Sequence, residues 1–313
     1  MRGSLTLKKN LILALLLALA LPLPARAAEI TVLQSAALPS YNSALQGLSE
    51  VIARDIPSRG QKAIQAHAIT THILTEATGT VQLRQMISDD QPDLLVAIGS
   101  SSLSLAHDIP DIPILYLMVP FPEAMGKRPG NITGISMSIS AAQQLEALTL
   151  AAPTVKNIGL VYDPERSGAL VDEARDYASR NHLNLVALPV RATDEVPSQL
   201  AGLKGKIDWL WMVPDLTVLT PQTVDYIMLF SLENRVPVLT FADKYLNMGA
   251  VLAVTFDPLE IGRQAGDMAL NILRQGGAEG IPPARVEKVR VNTNARAASL
   301  LGVVLHQATG GRP

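Results

Sequence analysis

Three consecutive serines follow a glycine in the segment VAIGSSSLSLAHD, residues 96–108. Gly99 would let the backbone approach a bound group closely, and Ser100, Ser101 and Ser102 would place hydroxyls at the start of a helix. Because N–H groups in the first turn of a helix favour anions, this pattern predicts a cradle for a carboxylate or another polar group. A serine N-cap in an empty loop is the main alternative. A nucleophilic serine is disfavoured, because a leucine stands where the G-x-S-x-G elbow has its second glycine.

A single carboxylate, Asp215, follows the apolar stretch WLWMV at residues 209–213 and then Pro214. At the carboxyl end of a strand, such a side chain is expected to project into a ligand cleft. An ammonium group that faces a partly desolvated carboxylate gains a charge-assisted hydrogen bond of roughly 1.5–3 kcal/mol. The alternative is that Asp215 caps the next helix through Thr217 and Val218.

Further candidates lie at other predicted strand ends, where unpaired backbone groups and polar side chains meet. Aromatic residues make up only 4% of the chain, so an aromatic side chain at the mouth of a cleft can mark a surface that stacks on a flat ligand. Ordinary packing is the alternative for these aromatic residues, and helix capping is the alternative for Asp163. The candidate ligand-binding residues are Ser35, Tyr41, Ser100, Ser101, Ser102, Asp163, Asp215, Thr217, Phe241 and Asp243.

Enzyme chemistry finds little support in the sequence. The five histidines have no spacing that would pair a general base with an acid or assemble a metal site, and the chain has no cysteine. We therefore expect no catalytic residue, no bound metal and no cofactor. An exported hydrolase ranks below a binding protein and a ligand sensor among the functional classes.

The N-terminal segment has the pattern of a secretory signal peptide. Lys8 and Lys9 precede an apolar run at residues 11–24, and small residues around position 26 fit a cleavage site after Ala27. The run is too short to favour a retained membrane anchor. We therefore predict that residues 1–27 are removed and that the mature protein lies in the periplasm.

The charge of the chain argues against some classes of partner. Removal of residues 1–27 takes away four of the 26 Lys and Arg residues and none of the 28 Asp and Glu residues, which leaves a mildly acidic protein. A protein of this charge without a basic patch is a poor binder of nucleic acid or of anionic membranes. We therefore expect a small molecule as the ligand.

The candidate residues require a framework that brings several strand ends together. Short apolar runs alternate with longer amphipathic stretches, and the series restarts after a break near residues 120–135. This pattern predicts an α/β protein of two doubly wound, Rossmann-like lobes with a ligand cleft between them. An extra helix and strand after residue 256 indicate that the chain crosses between the lobes more than twice. The predicted boundaries are residues 28–137 with 257–286 for lobe 1, and residues 138–256 with 287–313 for lobe 2.

Five segments, spread over nearly all of the mature chain, carry a resemblance to a known family. The segments are NITGIS (131–136), MVPDLTVL (212–219), GAVLAV (249–254), EIGRQAG (260–266) and VNTNARAASLLGV (291–303). Through them the sequence resembles the ABC-transporter substrate-binding proteins of the type 1 periplasmic binding fold, in the branch that includes tryptophan and other aromatic amino-acid binders.

The resemblance implies a clamshell whose two lobes close over a solute. The protein would then be an exported solute-binding protein that captures a small polar molecule, with an amino acid or a related compound as the first candidate, and delivers it to an ABC permease in the inner membrane. The resemblance also implies that Asp215 holds the amino group of such a ligand. A ligand-binding sensor for a membrane kinase is the alternative, and we expect a monomer.

Overall fold

The computed structural model describes residues 27–55, 67–120, 122, 126 and 129–306. The predicted signal peptide therefore lies outside the described residues, apart from Ala27. In the described part of the chain, no helix combines the length and the apolar character needed to cross a lipid bilayer.

The first sheet has five strands, each parallel to its neighbours. Its elements are β1 (Glu29–Gln34), α1 (Pro39–Arg54), β2 (Ala68–Ile73), α2 (Thr80–Asp90), β3 (Leu94–Ile98), α3 (Ser100–Ala106), β4 (Ile114–Val119) and β5 (Ile132–Ser136). The order across the sheet is β2-β1-β3-β4-β5. The central strand β3, with the sequence LLVAI, is fully buried, as its unbroken apolar run predicts for a parallel strand covered on both faces.

The second sheet has six strands. The elements that follow β5 in the chain are α4 (Ala141–Ala151), β6 (Asn157–Tyr162), α5 (Pro164–Arg180), β7 (Asn184–Pro189), α6 (Val196–Leu203), β8 (Trp209–Trp211), α7 (Pro221–Asn234), β9 (Val238–Thr240), β10 (Leu252–Phe256), α8 (Pro258–Gln275), β11 (Val289–Thr293) and α9 (Ala295–Leu301). The order is β11-β10-β9-β8-β6-β7, and only the pairing of β11 with β10 is antiparallel among the described strands. The two sheets confirm the predicted α/β class.

The chain passes between the two sheets three times. After β5 it leads through α4 into the second sheet, and after β10 it returns to pack α8 against α1 and the first sheet. On the third passage Ala284 pairs with Ile135 at the edge of the first sheet before β11 joins the second. The helix α8 thus belongs to the first sheet by packing, although its sequence lies between two strands of the second.

Side chains from both sheets hold the third passage. Nε2 of Gln264 in α8 donates to the carbonyl of Arg285 (2.8 Å), and Nε2 of Gln143 in α4 donates to the carbonyls of residues 286 and 287 (3.0 Å each). The Arg285 guanidinium also lies 2.7 Å from the Glu173 carboxylate in α5. This segment therefore links elements of both sheets.

The sequence pattern also predicts strands at residues 63–69 and 282–292, and the structure gives both of them other bounds. The strand predicted at residues 63–69 corresponds to β2, which continues to Ile73, while residues 63–66 lie outside the described residues. Because β2 is an edge strand, its sequence is polar over residues 70–72 and lacks a clear apolar run. The strand predicted at residues 282–292 begins only at Val289, since the residues before it form the third passage.

Helices α1 and α8 are in backbone contact because glycines leave room between them. A Cβ atom added at Gly47 of α1 would overlap the carbonyl oxygen of Leu259. One added at Gly262 of α8 would overlap the carbonyl oxygen of Ala44. This contact holds α8 on the first sheet.

Gly262→Ala is expected to destabilise the protein. The added methyl group meets backbone atoms that cannot rotate away, so the helices must separate, at a cost of about 1–3 kcal/mol for overpacking. Gly168→Ala in α5 is the matched control, because nothing lies within 4 Å of an added Cβ there, and alanine favours a helix over glycine by about 0.8–1 kcal/mol. Urea unfolding followed by circular dichroism should place the two midpoints on opposite sides of the natural chain. Equal midpoints would contradict the close contact.

Candidate functional site

A cavity of about 1030 Å³ lies between the two sheets and is lined from both. The first-sheet side contributes Tyr116 of β4, Ser136 of β5 and Met137. The second-sheet side contributes Arg166 of α5 and Phe241, which follows β9. Ligand pockets commonly enclose about 300–1,000 Å³, so this cavity has room for a solute of the size of an amino acid.

The strand β4 is irregular where it borders the cavity. Its register against β5 shifts between Tyr116 and Val119, and Met118 has a positive φ of 58°. A non-glycine residue in this left-handed region is uncommon, and bulges of this kind re-aim side chains near functional sites. Pro120 and Pro122, which follow the bulge, also line the cavity. The irregular end of β4 therefore shapes the first-sheet wall.

The Asp215 carboxylate lies in the second-sheet wall and is almost fully buried, with 1% of its surface exposed. Its Oδ1 accepts from the N–H groups of Thr217 (2.9 Å) and Val218 (3.2 Å). Its Oδ2 accepts from the N–H of Asp163 (2.8 Å) and the hydroxyl of Ser167 (2.8 Å). Four donors fill the acceptor positions of one carboxylate.

The capping contacts considered for Asp215 are thus present, although residues 216–218 form a turn and not a helix. Asp215 also lines the cavity, as a ligand contact would. That it binds the amino group of a ligand stays a prediction. An ammonium group at this position would compete with donors that the protein already supplies.

Thr217 links Asp163 to Arg166. The Thr217 hydroxyl donates to Oδ2 of Asp163 (2.6 Å) and accepts from Nε of Arg166 (2.9 Å). The N–H of Glu165 donates to the other carboxylate oxygen of Asp163 (3.0 Å). The bond from Thr217, followed by that from Glu165, lowers the pKa of Asp163 below its ordinary value. This chain of bonds positions Arg166 at the cavity wall.

Aromatic rings and a lysine line the same side of the cavity. The rings of Phe241 and Tyr245 lie 5.5 Å apart at 64°, which is an edge-to-face contact. The Lys244 Nζ lies 4.7 Å from the centroid of the Tyr245 ring. Phe256 at the end of β10 adds a third ring. An apolar, flat part of a ligand could pack against these rings.

The predicted serine cradle forms a separate cluster. The Ser102 hydroxyl is buried and donates to the carbonyls of Ile98 and Gly99 (2.9 Å each), and its backbone N–H donates to Oγ of Ser35 (2.9 Å). A Cβ at Gly99, which has a φ of 94°, would collide with the Tyr41 hydroxyl and with Ser35. The close packing of these side chains therefore requires glycine at this position.

The structure brings the ten predicted site residues into distinct groups. Asp215 and Phe241 line the cavity, and Asp163 and Thr217 contact its Arg166. Asp243 bonds to Arg290 (3.2 Å) and Asn292 (2.7 Å) of β11 and is outside the lining. The five remaining predicted residues lie around Gly99, outside the lining, and are Ser35, Tyr41, Ser100, Ser101 and Ser102. Of these, Ser100 and Ser101 are exposed.

Several lining residues are absent from the predicted set. Arg166 and Ser167 occupy the first turn of α5. A search that extended from each predicted strand end by one helical turn would have included them. Ser136 and Phe256 are the last residues of β5 and β10, where the chain leaves one sheet for the other. The described residues contain no group of three or more His, Cys, Asp or Glu that could hold a metal ion.

Comparison with known proteins gives one family and one curated relative. The family model for "ABC transporter substrate binding protein" matches residues 29–310. A tyrosine-binding protein of Clostridioides difficile strain R20291 is 26% identical over 224 residues. The match covers 69% of this chain and 64% of that protein, so this chain spans less than two thirds of the relative's length.

Two solved structures share the arrangement of the chain. A substrate binding protein with adhesive properties from Clostridium difficile, in a ligand-free, open form, is 24% identical, and the match covers 91% of this chain and 98% of that one with a TM-score of 0.68. An ABC domain from Streptococcus pneumonia in complex with L-Trp is 22% identical, with 90% and 97% covered and a TM-score of 0.54. These likenesses confirm the predicted type 1 periplasmic binding architecture.

Thr217→Val should raise the pKa of Asp163 toward its ordinary value, because valine keeps the shape of the side chain and removes the hydroxyl that donates to the carboxylate. In the natural chain, the lowered pKa stabilises the folded state above the ordinary pKa of about 3.9. That contribution is lost as the pH falls through the lowered value. The variant should therefore lose less stability on acidification.

An NMR titration of the Asp163 carboxyl carbon measures this shift directly. Thr149→Val serves as the control, because the Thr149 hydroxyl bonds to the Glu146 carbonyl, away from the cavity. A titration midpoint for Asp163 that is the same in the natural chain and in Thr217→Val would contradict the assigned cause.

Proposed function

The chain belongs to the ABC transporter substrate binding protein family, and on this premise we propose that it captures a small polar solute with a carboxylate group, an amino acid or a related compound, between its two sheets. The observation that carries the proposal is the cavity lined from both sheets near the ends of parallel strands. Open α/β sheets bind their ligands at this edge. Capture and release, and not a chemical reaction, is the role that the family implies.

The relatives support the choice of ligand class. The curated relative is a tyrosine-binding protein, and one structural neighbour is in complex with L-Trp. In this chain, the rings of Phe241, Tyr245 and Phe256 line the cavity and offer an apolar surface to a flat side chain. We therefore place aromatic amino acids and compounds derived from them first among the candidates.

We propose that the mature protein is located in the periplasm. Residues 1–27 would serve as the signal peptide, and the mature monomer would deliver its solute to an ABC permease in the inner membrane. The family and the sequence pattern of the N-terminal segment support both proposals.

The two lobes are proposed to close over the solute as a clamshell. Lobe 1 would comprise residues 28–137 and 257–286, and lobe 2 residues 138–256 and 287–313. The three passages between the sheets support this division, because α8 packs on the first sheet while β11 pairs in the second. Bonds from Gln143 and Gln264 to the third passage would keep its backbone in place during the movement.

Ala169→Trp is expected to abolish solute binding without unfolding the protein. Ala169 is exposed and lines the cavity, so an indole ring at this position would occupy the space of the solute. Ala201→Trp in α6 is the matched control, because Ala201 is equally exposed and lies outside the lining. Calorimetric titration with L-tyrosine, L-tryptophan and L-leucine should detect binding to the natural chain and the control only.

Urea unfolding gives an independent measure of the same binding. A solute at about 100 times its Kd should stabilise the natural chain by about 2.7 kcal/mol and leave Ala169→Trp unaffected. Equal stabilisation of the natural chain and of Ala169→Trp would show that the solute binds outside this cavity. Failure of every amino acid and related acid to stabilise the folded natural chain would refute the proposed ligand class.

Solute binding should also reduce the radius of gyration. The hinge proposed from the sequence lies near residues 119–121, 137–140 and 255–258. At the second and third of these ranges the chain leaves one sheet for the other, whereas residue 119 ends β4, which is followed by β5 of the same sheet. Closure about this hinge shifts the population toward a more compact form. Small-angle scattering with and without saturating solute measures the change, and an unchanged radius with bound solute would count against the clamshell.

A further inference from the structure

We infer that the cavity recognises the carboxylate of its ligand and makes no use of an amino group. An aromatic acid without an α-amino group should therefore bind at least as well as the matching amino acid. The inference rests on the proposed function, because it narrows the class of solute that the same cavity takes.

A ligand ammonium group would find no available carboxylate among the described lining residues. Asp215 is the acidic side chain in that lining, and four protein donors occupy its two oxygens. Two nearby acids outside the lining are also bonded, Asp163 to Thr217 and Glu173 to Arg285. Removing an ammonium group from water without an ionic partner is unfavourable. The amino group therefore gains nothing from these carboxylates.

The serine hydroxyls of the lining are also engaged. The hydroxyls of Ser136 and Ser138 lie 2.6 Å apart and bond to each other, and the Ser167 hydroxyl donates to Asp215. These oxygens keep lone pairs, but as neutral acceptors they do not offset the charge of an ammonium group as a carboxylate would. The polar part of the described lining is thus poorly suited to a cation.

The described lining contains three cationic side chains; Arg285 is paired with Glu173, and the other two keep donors available for an anion. Arg166 uses Nε for Thr217, and its two terminal nitrogens have no hydrogen-bond partner within the described residues. Lys244 contacts the Tyr245 ring, and no acceptor in the described ranges bonds to its Nζ. Bonds from ionised donors to a carboxylate are shorter and roughly twice as strong as neutral ones. A ligand carboxylate therefore has partners that a ligand ammonium lacks.

The bond from Thr217 gives Arg166 a defined position. The Asp163 carboxylate accepts from the Thr217 hydroxyl, and that hydroxyl accepts from Nε of Arg166. The planar guanidinium can therefore present its free edge to a carboxylate with less loss of side-chain entropy. The rings of Phe241 and Tyr245 lie in the same wall and would contact the apolar part of the ligand.

Matched ligands test the inference on the full chain. L-tyrosine, 3-(4-hydroxyphenyl)propanoate and tyramine share one ring; the second lacks the amino group and the third lacks the carboxylate. L-tryptophan, indole-3-propanoate and tryptamine form a second set with a larger ring. Calorimetric titration should give each deaminated form a Kd no more than about threefold above that of its amino acid, and should show binding of each amine at least about 100-fold weaker.

Arg166→Gln and Lys244→Gln test the assigned partners separately. Each side chain is exposed, so either variant should fold, and circular dichroism checks this. At least one variant should weaken binding of the propanoates by about tenfold, the loss of one charge-assisted bond. Lys206→Gln is the control, because Lys206 is an exposed cation outside the lining and its loss should leave every Kd unchanged.

The outcomes separate this inference from the proposed function. Amino acids that bind at least about tenfold more tightly than their deaminated forms overturn the inference and leave the proposed function intact. Equal affinities with no effect of either cation variant overturn the assignment of Arg166 and Lys244. No binding of any of the six compounds to the folded natural chain contradicts the inference and the proposed aromatic class together.

Discussion

The second-sheet wall of the cavity depends on the buried carboxylate of Asp215. It joins the end of β8 to the start of α5, because it accepts from Asp163 and Ser167 on one side and from Thr217 and Val218 on the other. A buried charge must be bonded in this way, since an unpaired one would unfold its surroundings or become neutral. The same four bonds leave Asp215 little capacity to accept a hydrogen bond from a ligand. Asp215 therefore stabilises the cavity wall and is poorly suited to bind the solute.

In the proposed site, contact with the solute is divided between two kinds of element. Arg166 stands in the first turn of α5 and Lys244 in the short 3-10 helix after β9, and both side chains border the cavity. The aromatic rings come from the strand ends and the same 3-10 helix. Charged groups on exposed turns can rearrange when a solute enters, whereas the rings are held by packing. This division is consistent with our inference that the site takes solutes of differing side chains and recognises their carboxylate.

The sequence predicted the regular elements well where apolar runs and helix caps coincide. The sequence predicts a helix at residues 141–151, a strand at 157–162 and a helix at 221–234. The elements α4, β6 and α7 have these bounds, because each has a clear cap or an unbroken apolar run. The bounds of the edge strand β2 and of the third passage are harder to predict from the sequence, because their pairing depends on neighbours distant in the chain. The search at predicted strand ends selected Asp215 and Phe241, which line the cavity. It also selected Asp243, and it could not show that this side chain bonds to Arg290 and Asn292. Such orientations follow from tertiary contacts that no local pattern records.

The contact between α1 and α8 has a consequence for the order in which the chain can fold. Arg263 and Glu50, bonded across it, are 213 residues apart in the sequence. A pairing of such long range forms slowly, because a large loop must close before any contact energy is gained. Until residues 258–275 have been synthesised, the face of α1 around Gly47 lacks its cover. The nascent first sheet is therefore left with an exposed apolar helix face that invites association with other chains.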